Sequence, residues 1–236
     1  MLKIINFSKS YQKGIKACDD LNLTIAAGDL FGFVGHNGAG KTTLLKSIAG
    51  ILDFEEGDIL IDGHSIKREP LEAKRLLAYI PDNPDIYESL TGIQYLNFIG
   101  DVYQVEIGKR QRLIDEYART FELINVLNDQ ISSYSHGMKQ KIVIIGALIH
   151  EPKLLILDEP FVGLDPISSH ALKQIFKAMC ERGCAIFFST HVLEVVETLC
   201  HKIAIIKKGK LITVGTTPDI LGDKTLENVF LDLQNS

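Results

Sequence analysis

Phe31–Gly50 reads FGFVGHNGAGKTTLLKSIAG. A short apolar run ends at Gly35. Gly35-His36-Asn37-Gly38-Ala39-Gly40-Lys41-Thr42 then fits G-x-x-x-x-G-K-[ST], and a helical pattern continues over Lys41–Ile51. A loop that wraps a phosphate must aim successive backbone N–H groups inward, which needs positive φ and no Cβ in the way. The helix opening near Lys41 adds the positive end of its dipole. In this pattern Lys41 reaches the β- and γ-phosphates and Thr42 offers its hydroxyl to Mg²⁺. Gly35, His36, Asn37, Gly38, Ala39, Gly40, Lys41, Thr42 and Thr43 are therefore the candidate nucleotide-binding set.

Outward from this loop the chain alternates strands with helices. LKIINF and ACDDLNLTI read as strands joined at Lys13-Gly14, and GDILIDG as a further strand. From about Tyr87 to Ser133, aromatic and aliphatic residues recur at helical spacing, among them Tyr95, Phe98, Val102, Leu113, Tyr117 and Phe121. KLLILDEP and CAIFFST are continuous apolar runs of strand length, the mark of buried parallel strands. A helix is predicted between them over Ser168–Glu181. HKIAIIKKGKLITVG reads as a hairpin turning at Lys208-Gly209. The pattern predicts an α/β fold with a mostly parallel sheet, interrupted by a helical insert. The tail after Gly222 contains a short helix candidate.

Two further segments carry chemistry. Asp158 ends the run LLILD, where a carboxylate beside a phosphate loop holds Mg²⁺ through its water shell. Glu159 follows and is the natural general base for an attacking water. His191 follows AIFFST, where an imidazole can bond the γ-phosphate or place the water.

Composition narrows the rest. The 236 residues are 46% hydrophobic and 23% charged, ordinary for a globular chain. A net charge of −5 argues against nucleic acid as the main partner. No apolar run nears the roughly 18 residues of a membrane span, the longest being Ile142 to Ile149, and MLKIINFSKSY lacks a signal core. A cytoplasmic location is expected. Cys18, Cys180, Cys184 and Cys200 match no zinc or disulfide spacing and read as buried thiols, with Cys180 and Cys184 one helical turn apart.

With these motifs in order, the chain resembles the nucleotide-binding subunits of ABC transporters from Lys3 to about Gly222. YSHGMKQK, Tyr134 to Lys141, is similar to the family signature; GLDP, Gly163 to Pro166, to the D-loop; His191 to the switch histidine; Tyr11 to the aromatic that stacks on adenine. The resemblance implies a P-loop NTPase core with an antiparallel β subdomain and an inserted helical subdomain. The core is expected over about 1–85 and 152–236, and the insert over about 86–151. It implies ATP and Mg²⁺ as cofactors, and a head-to-tail dimer with the same chain or a paralogous cassette. In that dimer Ser135 and Gly137, at the start of the apolar helix MKQKIVIIGALI, close on the partner's ATP, and Asp165 lies in the D-loop at the nucleotide. It implies docking of a separate multi-span permease on the Q-loop and helical insert, Asp82 to about Gln104, at the inner face of the cell membrane.

Two positions depart from the family. His136 stands where a glycine is usual, and is expected at the rim of the anion site. In AYIPDNPDIYESLTG, the usual glutamine falls on Asp82. A carboxylate still faces Mg²⁺, but it donates no hydrogen bond to water and adds negative charge. Asp82 is thus a candidate metal and catalytic residue, and slow hydrolysis is a corollary. The motifs resemble exporter-type subunits more than importers. The other readings are a soluble ABC ATPase acting on ribosomes or nucleic acid, and an ATP-binding regulatory module.

Overall fold

The computed structural model describes all residues except Lys13, Pro84, Asp85 and Ser236. Its strands are β1 (Leu2–Gln12), β2 (Ile15–Ile25), β3 (Leu30–Val34), β4 (Glu56–Ile61), β5 (His64–Ser65), β6 (Leu77–Ile80), β7 (Leu154–Asp158), β8 (Ala185–Thr190), β9 (Lys202–Lys207) and β10 (Lys210–Thr216). Its helices are α1 (Lys41–Ile48), α2 (Pro70–Arg75), α3 (Gly92–Val102), α4 (Ile107–Thr120), α5 (His136–Leu148), α6 (Pro166–Glu181), α7 (Leu193–Leu199), α8 (Thr217–Leu221) and α9 (Leu226–Asn235). The fold is α/β, with a six-stranded sheet ordered β10-β9-β3-β8-β7-β6 and a four-stranded antiparallel sheet ordered β2-β1-β4-β5.

In the larger sheet, β3 runs parallel to β8 and β9, and β7 runs parallel to β8. Every residue of β3, β7 and β8 is buried, which explains their unbroken apolar sequences. Phe187 packs its ring 5.7 Å from Phe31 and 5.3 Å from Phe33. Each such side chain removed from water contributes about 1.5–3 kcal/mol. Parallel neighbours end on the same edge. The register pairs Val34 with Thr190 and Asp158 with Ser189, so the segments after β3, β7 and β8 all start from one edge of the sheet.

The chain separates into two compact units. The first comprises residues 1–79, 153–160 and 176–236 and holds nearly all of both sheets. The second comprises residues 80–152 and 161–175. At its heart is α5, buried from Gln140 to Leu148, with α3 and α4 packed on it. A capping box of Thr91 and Gln94 starts α3.

Several boundaries differ from the sequence reading. The helix after the phosphate loop stops at Ile48, three residues early, because Gly50 takes a left-handed φ of 63° and Ile51 N–H turns back to the Lys46 carbonyl. Helix α6 begins at Pro166, two residues before the predicted Ser168, since proline suits the first helical position. Helix α5 begins at His136, so His136 and Gly137 lie inside its first turn. Cys184 lies beyond α6, which ends at Glu181, so Cys180 and Cys184 are not one turn apart on a helix. All four thiols are free and buried, and burial pushes Cys18, Cys180 and Cys184 up to about 12. The β9–β10 hairpin turns at Lys208-Gly209, both with positive φ, as a two-residue turn of primed type demands. Of the Lys13-Gly14 turn, Lys13 lies outside the described residues, as do Pro84 and Asp85 of the Asp82 to Gln104 stretch.

Candidate functional site

The loop Gly35–Gly40 joins the buried end of β3 to α1. Gly40 precedes the helix with φ 110°, and no side chain caps α1. The first-turn amides of the helix thus remain as donors for an anion. A Cβ on Gly40 would lie 2.4 Å from the Ala17 carbonyl oxygen, so both conformation and space require glycine. Lys41 folds back into the loop, where its Nζ donates to the carbonyl of Gly35 at 2.6 Å and of His36 at 3.3 Å. It is 7% exposed. Burial lowers its pKa, while the fields of Glu159 and Asp158 oppose that shift. A cation held in a loop of inward amides is a ready partner for phosphate oxygens.

At the end of β7, Asp158 is 2% exposed. Thr42 donates its hydroxyl to Asp158 Oδ2 at 2.6 Å, and Ser189 on β8 donates to Oδ1. No ion pair involves Asp158 among the described residues. A buried carboxylate satisfied by hydroxyls alone, beside a threonine hydroxyl, is the hard oxygen set that suits Mg²⁺. Among the described residues no cluster of three or more His, Cys, Asp or Glu is arranged to hold a metal. Such sparse protein ligation is what Mg²⁺ uses where substrate phosphates and water complete its shell. Ser189 was not anticipated: it and Thr190 are two hydroxyls at the end of an apolar strand, and nothing local marks the carboxylate that Ser189 meets.

Glu159 turns away from β7 with φ 50°. A left-handed backbone at a non-glycine residue costs about 1–3 kcal/mol and persists only where surroundings enforce it. Here the Glu159 N–H is anchored on the Ser189 carbonyl at 3.0 Å. Its carboxylate meets His191, with Oε1 2.9 Å from Nδ1 and Oε2 3.4 Å from the backbone N–H. Glu159 is largely buried while His191 is exposed. Tyr11 is exposed on β1, and its hydroxyl lies 3.2 Å from Thr43 Oγ1 on α1. One unit thus brings together Tyr11, the phosphate loop, Asp158, Glu159 and His191.

The second unit holds Tyr134–Lys141 and Gly163–Pro166, the stretches that resemble the signature and the D-loop. Ser135 caps α5 by accepting from Met138 N–H at 3.3 Å. Asp165 accepts from Ser168 N–H and hydroxyl, both at 2.8 Å, and pairs with Lys141 Nζ at 2.7 Å. The Lys141 contact, with the two bonds from Ser168, holds its carboxyl well below the usual carboxylate range. Three contacts thus engage the Asp165 carboxylate inside its own unit, while its side chain stays partly exposed. A Cβ on Gly137 would sit 2.7 Å from the Gly163 carbonyl oxygen, and one on Gly163 would sit 2.9 Å from the His136 ring. Signature and D-loop are packed directly together, and His136 is exposed at their edge. Asp82 is exposed and accepts from Asn83 N–H at 2.8 Å.

Residues 18–162 match the family model described as ABC transporter. The chain belongs to the ABC transporter family. It is 37% identical over 220 residues, 93% of this chain and 71% of the relative, to the uncharacterized ABC transporter ATP-binding protein YhcH of Bacillus subtilis. It is 34% identical over 229 residues, 96% of this chain and 73% of the relative, to the linearmycin resistance ATP-binding protein LnrL of the same species. A solved structure described as the ATP binding subunit of an ABC transporter superposes with a TM-score of 0.95, at 32% identity, covering 99% of both chains. This ABC cassette is an ATPase that takes ATP with Mg²⁺. No helix among the described residues is long and apolar enough to cross a membrane.

Proposed function

We propose that this cassette hydrolyses ATP to drive a separate membrane permease in the export direction, bound at the inner face of the cell membrane. The observation that carries the reading is the convergence, at one edge of the parallel sheet, of Lys41, the Thr42–Asp158 pair and the Glu159–His191 pair. The resistance named for the Bacillus relative supports export. The first unit is the ATP-binding core, and the second is the helical subdomain that receives the permease at Asp82 to about Gln104. Two cassettes, identical or paralogous, pair head to tail, and Ser135 and Gly137 of each close on the other's ATP.

The residues divide the work. Tyr11 stacks on the adenine, with its hydroxyl steadied by Thr43. Lys41 leaves the Gly35 and His36 carbonyls for the β- and γ-phosphates, and the amides of Gly38 and of Gly40 to Thr43 are the donors for the β-phosphate. Thr42 and Asp158 would hold Mg²⁺, and Asp82 is a further candidate ligand. That ion, when bound, offsets charge on the phosphate oxygens. Glu159 takes the proton of the attacking water. A neutral His191 that donates from Nδ1 to Glu159 presents only a lone pair at Nε2. To donate to a γ-phosphate from Nε2 it must either gain a proton, keeping the Glu159 contact, or change tautomer and release Glu159.

Tagged cassette pulled from gently solubilised membranes tests the transport assignment. Co-purification of a multi-span protein in about equal amount is expected. Recovery only from the soluble fraction, with ribosomes or nucleic acid, would overturn it and leave the ATP chemistry intact.

A further inference from the structure

The C-terminal helix α9 lies in the first unit and is tied to both sides of the phosphate site. Its first amide, Leu226 N–H, donates to Glu197 Oε2 at 2.9 Å on α7, the helix that follows His191. Near its other end, Lys207 Nζ at the end of β9 donates to the Leu233 carbonyl at 3.0 Å, satisfying an oxygen that a helix terminus leaves open. Between these ties Phe230 is 8% exposed. Its ring lies 4.8 Å from the His36 ring, tilted by 59°. A cavity of about 500 Å³ opens there, bounded by Gly35, His36, Asn37, His191, Leu193 and Phe230.

His36 is a structural member of the phosphate loop through its backbone. Its carbonyl accepts from Ala39 N–H at 3.1 Å and from Lys41 Nζ at 3.3 Å. The orientation of this peptide therefore sets both the loop's turn and the seat of the lysine. The His36 side chain faces the cavity, where Phe230 is its aromatic partner. We infer that Phe230 is a positioning residue for nucleotide binding: by packing on the His36 ring it fixes the peptide that seats Lys41, and α9 thereby braces the phosphate loop. The inference rests on the reading of Gly35–Thr43 as the nucleotide loop. It assigns a role to a helix outside every motif that defines the site.

The test is calorimetric titration of the full chain with Mg·ADP, far below the thermal midpoint of each variant. An aromatic pair of this kind is worth about a three- to tenfold change in an equilibrium constant. Phe230→Ala and His36→Ala are each expected to weaken ADP by about that factor, and the double variant to be no weaker than the worse single one. Phe230→Tyr keeps the ring and is expected to bind as wild type does, as is Leu231→Ser on the exposed side of α9. A purely structural α9 would give a lower midpoint in Phe230→Ala with unchanged ADP affinity, and that result overturns the inference. Losses that multiply in the double variant overturn it too. Should Phe230→Ala not fold, His36→Ala and Phe230→Tyr still decide, since an unchanged affinity in the former sinks the inference. Wild type that fails to bind Mg·ADP, or binds no better than Lys41→Ala, refutes the reading of the loop itself.

Discussion

The phosphate-loop region and the signature region are built differently. The phosphate loop and the ends of β7 and β8 form a polar system whose lysine and aspartate are buried. Lys41 is bonded to the Gly35 and His36 carbonyls of its own loop, and Asp158 to Thr42, 116 positions away. The signature is the opposite. Ser135 and His136 are exposed, and the Ser135 hydroxyl does nothing more demanding than cap its own helix. One region is organised around a charge it is ready to take. The other is a helix N-terminus fixed firmly from behind, by Gly163 and the Lys141–Asp165 pair, and open in front. A preorganised pocket loses little entropy on binding, whereas an open helix end gains only when a second body brings the anion to it. The contrast fits an enzyme that binds nucleotide in one place and completes its site elsewhere.

The largest break in this contrast comes from Glu159→Gln. Removing the base leaves the buried polar system nearly isosteric, so ATP binding should survive while turnover falls by about 10²–10⁴-fold. With hydrolysis blocked, Mg·ATP should hold a stable dimer with two nucleotides buried, read by light scattering with ATP counting. Turnover within a factor of two of wild type would remove Glu159 from the role of base. A strictly monomeric variant at high protein concentration would point to a different cassette as partner.

Paired glycine substitutions sharpen the comparison. Gly40→Ala imposes a left-handed backbone on alanine and drives Cβ to 2.4 Å from the Ala17 carbonyl. Such strain costs about 1–3 kcal/mol before any contact is counted, so Mg·ADP affinity should drop at least tenfold and the thermal midpoint should fall. Gly137→Ala meets the Gly163 carbonyl instead. It should leave Mg·ADP binding to the isolated chain unchanged, yet reduce dimerisation and turnover. Equal losses of ADP affinity in both variants would mean that the signature contributes to binding within its own chain.

What the sequence made legible follows the same division. The loop Gly35–Thr42, Asp158 and Glu159 stand at spacings that a linear pattern reports, because each follows directly on a buried strand. The fold class was legible for a related reason, since runs such as LLILD and AIFFST are apolar throughout only when both faces of a sheet are covered. The contacts among these residues were not. Thr42 meets Asp158, Glu159 meets His191 and Phe230 meets His36 across 116, 32 and 194 positions of chain. Periodicity and turn chemistry are local and say nothing of such pairs. Ser189 and Lys141 show it most plainly, because a serine in a strand and a lysine in a helix carry no local mark of the carboxylates they hold.

The smallest effect belongs to Asp82. In the proposed role, at the glutamine position of the Q-loop, a carboxylate adds negative charge and lacks the amide N–H that would hold a water. Its side chain is exposed and makes one short-range bond, to Asn83 N–H, so solvent screens it. Exposed charge pairs are worth about 0.2–1 kcal/mol. Asp82→Gln should therefore raise ATP turnover by no more than about fivefold, with no loss of stability. Adding salt should narrow the gap between the two proteins, because screening weakens the repulsion that the glutamine removes. A gap that persists unchanged at high salt would assign the effect to the lost hydrogen bond rather than to charge. An unchanged rate with unchanged coupling to a permease would show that a carboxylate serves here as well as an amide.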